Sequence, residues 1–312
     1  MSQRFLIVRL SALGDTVCSL PAAVAIKCAF PGAEISWVVD QRFKGAVECC
    51  RSVDKIIAVP KKKLKEHLKD VGTEPYEAVL DLQGLLKSAL FAHAASSELK
   101  LGYHWMREGA WLFTQRVLPD PTSVHVVDQY VDVARAAGGK ADRAFFDLHP
   151  HFDDLEMVQQ KLRSRGIGER FIVLNAGAGW ASKRWPARSF AKLADMLALA
   201  HLQTVFLGSL ADKAVFEEIQ SHGAKDAASM IGETNVRELI ALISLATLHV
   251  GGDTGSTHIS AALGKPSIGL YSLTRPERTG PYGQIGNCVY DSRSLASIEV
   301  ETVFGMILGA LT

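Results

Sequence analysis

Short apolar runs that alternate with helix-patterned stretches restrict this chain to very few architectures. FLIVR (5 to 9), ISWVV (35 to 39), KIIAV (55 to 59) and AVLDL (78 to 82) are brief, β-branched and almost uninterrupted by polar residues, as strands buried on both faces require. Between the first two, SLPAAVAIKCAF is helical in composition and halts at Pro31 and Gly32, with Pro21 expected in a tolerant first turn. A strand, a helix and a second strand in this order make a βαβ unit, and repetition of the unit predicts a parallel α/β sheet. HVVDQYVDVARAAG then repeats apolar residues at helical spacing and closes on Gly138 and Gly139.

The chain next changes character. Residues 149 to 170 are mostly polar and charged, hold one short helical pattern, and precede a fresh apolar run, FIVLNAG, at 171 to 177. TVFLG (204 to 208), LHVGG (248 to 252) and SIGLY (267 to 271) follow, separated by helical stretches. Two α/β domains are therefore expected, 1 to 150 and 151 to 312. The final segment, ASIEVETVFGMILGALT, is expected to fold as a helix, with packing back on the N-terminal domain as one option. At 312 residues and 48% hydrophobic content the chain can fill two cores. The charges balance at +1, with 19 basic and 17 acidic residues up to residue 150 and 15 and 16 beyond it, which argues against a nucleic-acid binder. No run approaches the ~20 apolar residues of a membrane-spanning helix. Five cysteines without CxxC spacing read as reduced and structural, so a soluble protein of the cell interior is expected.

Three loops could carry chemistry. In VRLSALGDTVCSLPA, Gly14 and Asp15 follow the first strand, at the edge where open α/β sheets bind ligands. Neither GxGxxG nor a Walker loop is present, which disfavours cofactor hydride chemistry. Asp15 is either a helix cap or a carboxylate facing a cleft. NAGAGWASKRWP (175 to 186) joins a strand to a helix opened by Pro186, and Lys183 and Arg184 can reach a phosphate or be ordinary surface cations. GGDTGSTHISAALGKP (251 to 266) offers the amides and positive dipole end of a small-residue helix to an anion. There Asp253 suits sugar hydroxyls or the loop backbone, and His258 is either buried and satisfied or catalytic. Lys61, Lys62 and Lys63 open a lysine run that is either a solvated face or, with Lys87 and Arg107, a patch for an anionic acceptor. The ten histidines show no metal-ligand spacing outside the linker.

Taken together, LIVRLSALGDTVCSLPA, SKRWP after GAG, and GGDTGSTHISAALGKP resemble the heptosyltransferases of glycosyltransferase family 9 in order and spacing over nearly the whole chain. DLQGLLKSAL (81 to 90) and GYHWMREGA (102 to 110) are similar to heptosyltransferase I more than II, whereas GAGWAS is closer to the style of II. The resemblance implies a GT-B fold, two Rossmann-like domains facing across a cleft, with acceptor on the N-terminal half and nucleotide sugar on the C-terminal half. It implies that Asp15 is the general base and that Lys183 contacts the donor's phosphate or sugar. It places Thr254 and Gly255 at the diphosphate, Asp253 near the transferred sugar with His258 in the same donor-binding turn, and Asp212 at the ribose. The implied reaction is an inverting, metal-independent heptose transfer from ADP-heptose to a Kdo-lipid A acceptor, without cofactor, in the cytoplasm and in peripheral contact with the inner membrane. A family 9-like transferase with another sugar or acceptor, or a non-catalytic nucleotide-sugar binder, are the alternatives.

Overall fold

The computed structural model describes residues 3 to 177 and 184 to 311, and the chain divides into two compact units, Met1–His149 and Pro150–Thr312. The first contains β1 (Arg4–Val8), α1 (Leu13–Ala29), β2 (Glu34–Asp40), α2 (Lys44–Glu48), β3 (Lys55–Val59), β4 (Ala78–Asp81), α3 (Leu86–Ala94), β5 (Leu99–Tyr103), β6 (Gln115–Val117) and α4 (Val126–Ala136). Its six strands are all parallel and ordered β3-β2-β1-β4-β5-β6. The second contains α5 (Phe152–Arg163), β7 (Phe171–Asn175), α6 (Ala187–Leu199), β8 (Gln203–Leu207), α7 (Lys213–His222), β9 (Ala228–Ser229), α8 (Val236–Leu245), β10 (Leu248–Gly251), α9 (Gly255–Ala262), β11 (Ser267–Tyr271), α10 (Pro276–Thr279), β12 (Cys288–Tyr290) and α11 (Val300–Leu311). Its sheet runs β9-β8-β7-β10-β11-β12, again all parallel.

Each unit thus repeats the order 3-2-1-4-5-6 of a doubly wound dinucleotide-binding fold, and the strand order reverses between β1 and β4 and between β7 and β10. At such a reversal the flanking loops part to opposite faces of the sheet and leave a crevice at the carboxyl ends. The central strands explain the near-continuous apolar runs: Phe5, Leu6, Ile7 and Val8 of β1 are inaccessible to solvent, as are Val173 and Leu174 of β7. Each such side chain contributes about 1.5–3 kcal/mol by leaving water. Helices cover both faces, and α8 shows how they are delimited. Asn235 Oδ1 accepts from the Glu238 amide at 3.0 Å, and Glu238 Oε2 accepts from the Asn235 amide at 2.8 Å, a reciprocal capping box.

One expectation is corrected and one left open is filled in. Pro21 lies well inside α1, which starts as early as Leu13. A proline there removes one helical hydrogen bond, and α1 tolerates it within a helix buried along most of its length. The last helix, α11, packs on α6 and β11 of its own unit, because Val300, Val303 and Ile307 complete the apolar cluster formed by Trp185, Phe190 and Leu270.

Candidate functional site

In the first unit the crevice at the β1/β4 reversal is lined by polar side chains that follow directly on apolar strands. Asp15 stands in the first turn of α1, and its Oδ2 accepts from the Ala12 amide at 3.2 Å and pairs with Arg9 Nη2 at 2.8 Å. Oδ2 is thereby fixed, while the Asp15 side chain as a whole stays 46% exposed, so Oδ1 remains open to a ligand. Arg9 is held in turn. Its guanidinium is buried, donates to the Leu82 carbonyl and lies 5.2 Å from the centre of the Tyr130 ring. Gln83 Oε1 accepts from the Leu10 amide at 2.9 Å, and Lys87 Nζ donates to Ser11 Oγ at 3.3 Å. Asp15 therefore serves the helix end while its side chain stays partly exposed.

The acceptor candidates fall around this crevice unevenly. Lys87 reaches it directly, half-buried, with its pKa lowered by burial against the opposing pull of Asp40 and Glu108. Arg107 is exposed, and its amide donates to the Gly84 carbonyl at 2.8 Å, which ties its segment to the loop after β4. Lys61, Lys62 and Lys63 occupy the exposed turn after β3, and Lys61 is near enough for its charge to act on Lys87.

Beneath the crevice Asp81 ends β4 with no exposed surface. Its Oδ1 accepts from the Gln83 and Gly84 amides at 3.0 and 3.1 Å, while Oδ2 is buried without a partner. Burial pushes this carboxyl up to about 6, against the downward pull of those two amides. The native protein then binds a proton that the unfolded chain, at an ordinary carboxylate pKa, has already released between roughly pH 4 and 6. Stability from this group accordingly falls as pH rises through that window, by an amount on the order of 3 kcal/mol. Asp81→Asn should remove this loss and make the variant more stable than wild type at pH 7.5 but not at pH 4; urea denaturation at both pH values checks it, and equal differences at the two would sink it.

The second unit builds its crevice at the β7/β10 reversal. Asn175, the last residue of β7, donates from Nδ2 to Thr254 Oγ1 at 3.0 Å and to Ser256 Oγ at 2.7 Å, and its Oδ1 accepts from the Gly177 amide at 2.9 Å. Thr254 and Gly255 stand at the first turn of α9, where backbone N–H groups have no intrahelical acceptor. Asp253 and the buried His258 face each other at 3.5 Å. Asp212 is mostly buried and engaged: Oδ2 accepts from the Ser209 amide at 2.9 Å and from Ser209 Oγ at 2.6 Å, and Oδ1 accepts from Arg184 Nη2 at 3.3 Å. A Cβ on Gly177 would lie 2.7 Å from Asp212 Oδ2, so a glycine is needed for this close approach. Lys183 lies outside the described residues. In the second unit the structure groups Asp253, Thr254, Gly255 and His258 at the start of α9 and adds Asn175 and Ser256 there, and in the first unit it adds Arg9 beside Asp15; sequence reasoning singled out none of these three. The one available signal was a polar residue closing an otherwise apolar strand.

Among the described residues no group of three or more His, Cys, Asp and Glu side chains is arranged to hold a metal ion, and no helix is long and apolar enough to cross a membrane.

Two Rossmann-like units, each with the strand order 3-2-1-4-5-6, match the GT-B fold. The chain belongs to glycosyltransferase family 9 (heptosyltransferase), whose model matches residues 64–306. It is 27% identical to the lipopolysaccharide core heptosyltransferase OpsX of Haemophilus influenzae over 91% of this chain and 83% of that one. It is 26% identical to lipopolysaccharide heptosyltransferase 1 of Salmonella typhimurium over 97% and 99% of the two chains. The E. coli heptosyltransferase WaaC with ADP superposes with a TM-score of 0.82 at 24% identity, covering 99% of this chain and all of that one.

Proposed function

We propose that this protein transfers L-glycero-D-manno-heptose, with inversion and without a metal ion, from ADP-heptose to a Kdo-lipid A type acceptor. The observation that carries the proposal is the Asp15 carboxylate, anchored through Oδ2 by Arg9 and open at Oδ1, at the strand-order reversal of the first unit. The choice of donor is supported by the heptosyltransferase relatives and by the solved structure of WaaC with ADP.

In this reaction the acceptor oxygen attacks the anomeric carbon while the bond to the β-phosphate oxygen breaks. The hydroxyl proton passes to Asp15, and ADP leaves with the electron pair. An aspartate is a weak base, so proton transfer comes late, once the acceptor oxygen has acidified by bonding. Lys183 and the N–H groups at Thr254 and Gly255 take up the charge that grows on the leaving diphosphate. In the same proposal Asp212 lies at the ribose, Asp253 and His258 lie beside the sugar, and Lys61, Lys62, Lys63, Lys87 and Arg107 meet the acceptor's phosphates and carboxylates. The lipid portion of the acceptor would hold the protein at the inner membrane peripherally.

The test is turnover of ADP-heptose with purified protein and de-acylated Kdo-lipid A in EDTA, following ADP release and acceptor mass. A gain of one heptose is the expected result. ADP-heptose binding without transfer would overturn the acceptor, and absence of binding would overturn the donor.

A further inference from the structure

The two faces of the first sheet are covered by different kinds of segment. The crossovers from β3 to β4, from β4 to β5 and from β5 to β6 all advance across the sheet in one direction, opposite to those from β1 to β2 and from β2 to β3. Right-handed connections therefore put α1 and α2 on one face and the other three connections side by side on the second. These three pass through a 3-10 helix at Leu64–Val71, through α3, and through a short helical turn at Ala110–Leu112. Both short segments touch α3, which lies between them.

Each short segment sends its small apolar set inward and leaves a distinctive set outside. In KKKLKEHLKDV (61 to 71), Leu64, Leu68 and Val71 pack into the cluster that contains Phe91 and Ala95. Lys61, Lys62, Lys63, Lys65 and Lys69 are consequently all exposed; Glu66 is the one exposed acid in the run, and Asp70 is engaged by His67 at 2.7 Å. In the turn, Ala110 is buried and Phe113 partly buried against Ala89 and Met106, whereas Trp111 and Leu112 are 55% and 74% exposed. Of the eight large exposed apolar side chains among the described residues of the first unit, seven fall between residues 86 and 124. They are concentrated on this side of the sheet and are not the single scattered leucines that any surface carries.

We infer that this face is a docking surface for an anionic lipid bilayer, with the lysine run against the headgroups and Trp111 and Leu112 in the interfacial layer. Charge complementarity selects the occupant. Each lysine held close to an anionic membrane strengthens binding about fivefold, and an indole, apolar with one polar N–H, suits the boundary between headgroups and acyl chains. A second copy of this chain would instead set the same lysines against one another. The inference goes beyond the acceptor reading and does not rest on it, because the surface recognises lipid whether or not an acceptor is embedded there.

The test is co-sedimentation of the full chain with vesicles that contain no acceptor. Vesicles of equimolar phosphatidylglycerol and phosphatidylcholine should bind wild type at least about tenfold more tightly than pure phosphatidylcholine does. Trp111→Ser combined with Leu112→Ser, and separately Lys65→Glu combined with Lys69→Glu, should each weaken binding to the anionic vesicles at least about tenfold. All four positions are exposed, so both variants should keep the wild-type melting temperature by circular dichroism; should one fail to fold, the other carries the test. Wild type that stays in the supernatant with anionic vesicles, or binds phosphatidylcholine as tightly, would overturn the inference. The transfer reaction would be untouched, since it is read with a de-acylated acceptor in solution. Folded variants that bind as wild type would overturn it as well. Self-association that is lost in the Trp111→Ser, Leu112→Ser variant, with no lipid binding, would overturn the bilayer and assign the turn to a second copy.

Discussion

Asp15→Asn should turn over at least ~100-fold more slowly than wild type, in the range that a positioned general base supplies, with ADP affinity nearly unchanged. Asparagine is the informative substitution because of how the carboxylate is held. Arg9 Nη2 and the Ala12 amide both donate to one oxygen, Oδ2. An asparagine carbonyl can take both of those bonds, so α1 keeps its start and Arg9 its partner. The remaining arm becomes an NH2 group, which cannot accept the acceptor's proton. Geometry is preserved and one chemical capacity is lost. The effect should therefore fall on kcat, and on kcat/KM for the acceptor in the same proportion. Steady-state kinetics in both substrates, alongside calorimetry with ADP, separates the outcomes. Wild-type kcat in Asp15→Asn would remove the base assignment, and a loss confined to ADP affinity would make Asp15 a donor ligand.

The apolar runs made the fold legible because central parallel strands, buried on both faces, cannot alternate with polar residues. β1, β2, β3, β4, β7, β8, β10 and β11 all coincide with runs read from the sequence. Some strands away from the centres of the sheets did not announce themselves. β5 reads LKLGY, β6 is QRV and β9 only AS, partly exposed segments whose pairing depends on a neighbour already in place. The site was legible as loops and not as a network. Asp15, Thr254 and His258 stand in glycine-containing turns with recognisable chemistry, whereas Arg9, Asp81, Asn175 and His249 lie within or directly beside strands and look like interruptions of apolar runs. What unites these four is the order 3-2-1-4: they cluster on β1 and β4 or on β7 and β10, the two pairs that flank the reversals. Strand adjacency is a property of topology, so no local window of sequence reveals that Arg9 meets the Leu82 carbonyl or that Asn175 meets Ser256.

Trp185→Ala should destabilise the second unit by about 3–5 kcal/mol, the usual loss when a buried tryptophan is truncated in a core that does not collapse around the gap. SKRWP was read for its cations, yet its tryptophan is a core residue. The indole is 3% exposed, packs edge-on to Phe190 with ring centres 5.1 Å apart, and donates from Nε1 to the Ile298 carbonyl at 3.1 Å. That carbonyl stands just before α11, and the cluster around the ring contains Val300, Val303 and Ile307. One side chain therefore joins the chain leading into α6 to the C-terminal helix. Trp185→Phe retains much of the apolar contact but leaves the Ile298 carbonyl unpaired, and should lose about 1–3 kcal/mol. Urea denaturation followed by circular dichroism gives the order wild type, Phe, Ala, and an alanine variant within about 1 kcal/mol of wild type would show that the site can repack. The Phe variant also divides the motif's two tasks. If Trp185 serves only to anchor the chain and the preceding cations do the chemistry, Trp185→Phe should bind ADP as wild type does at a temperature where it remains folded. A loss of affinity there would mean that the packing of the ring, and not merely its burial, sets the position of the donor loop.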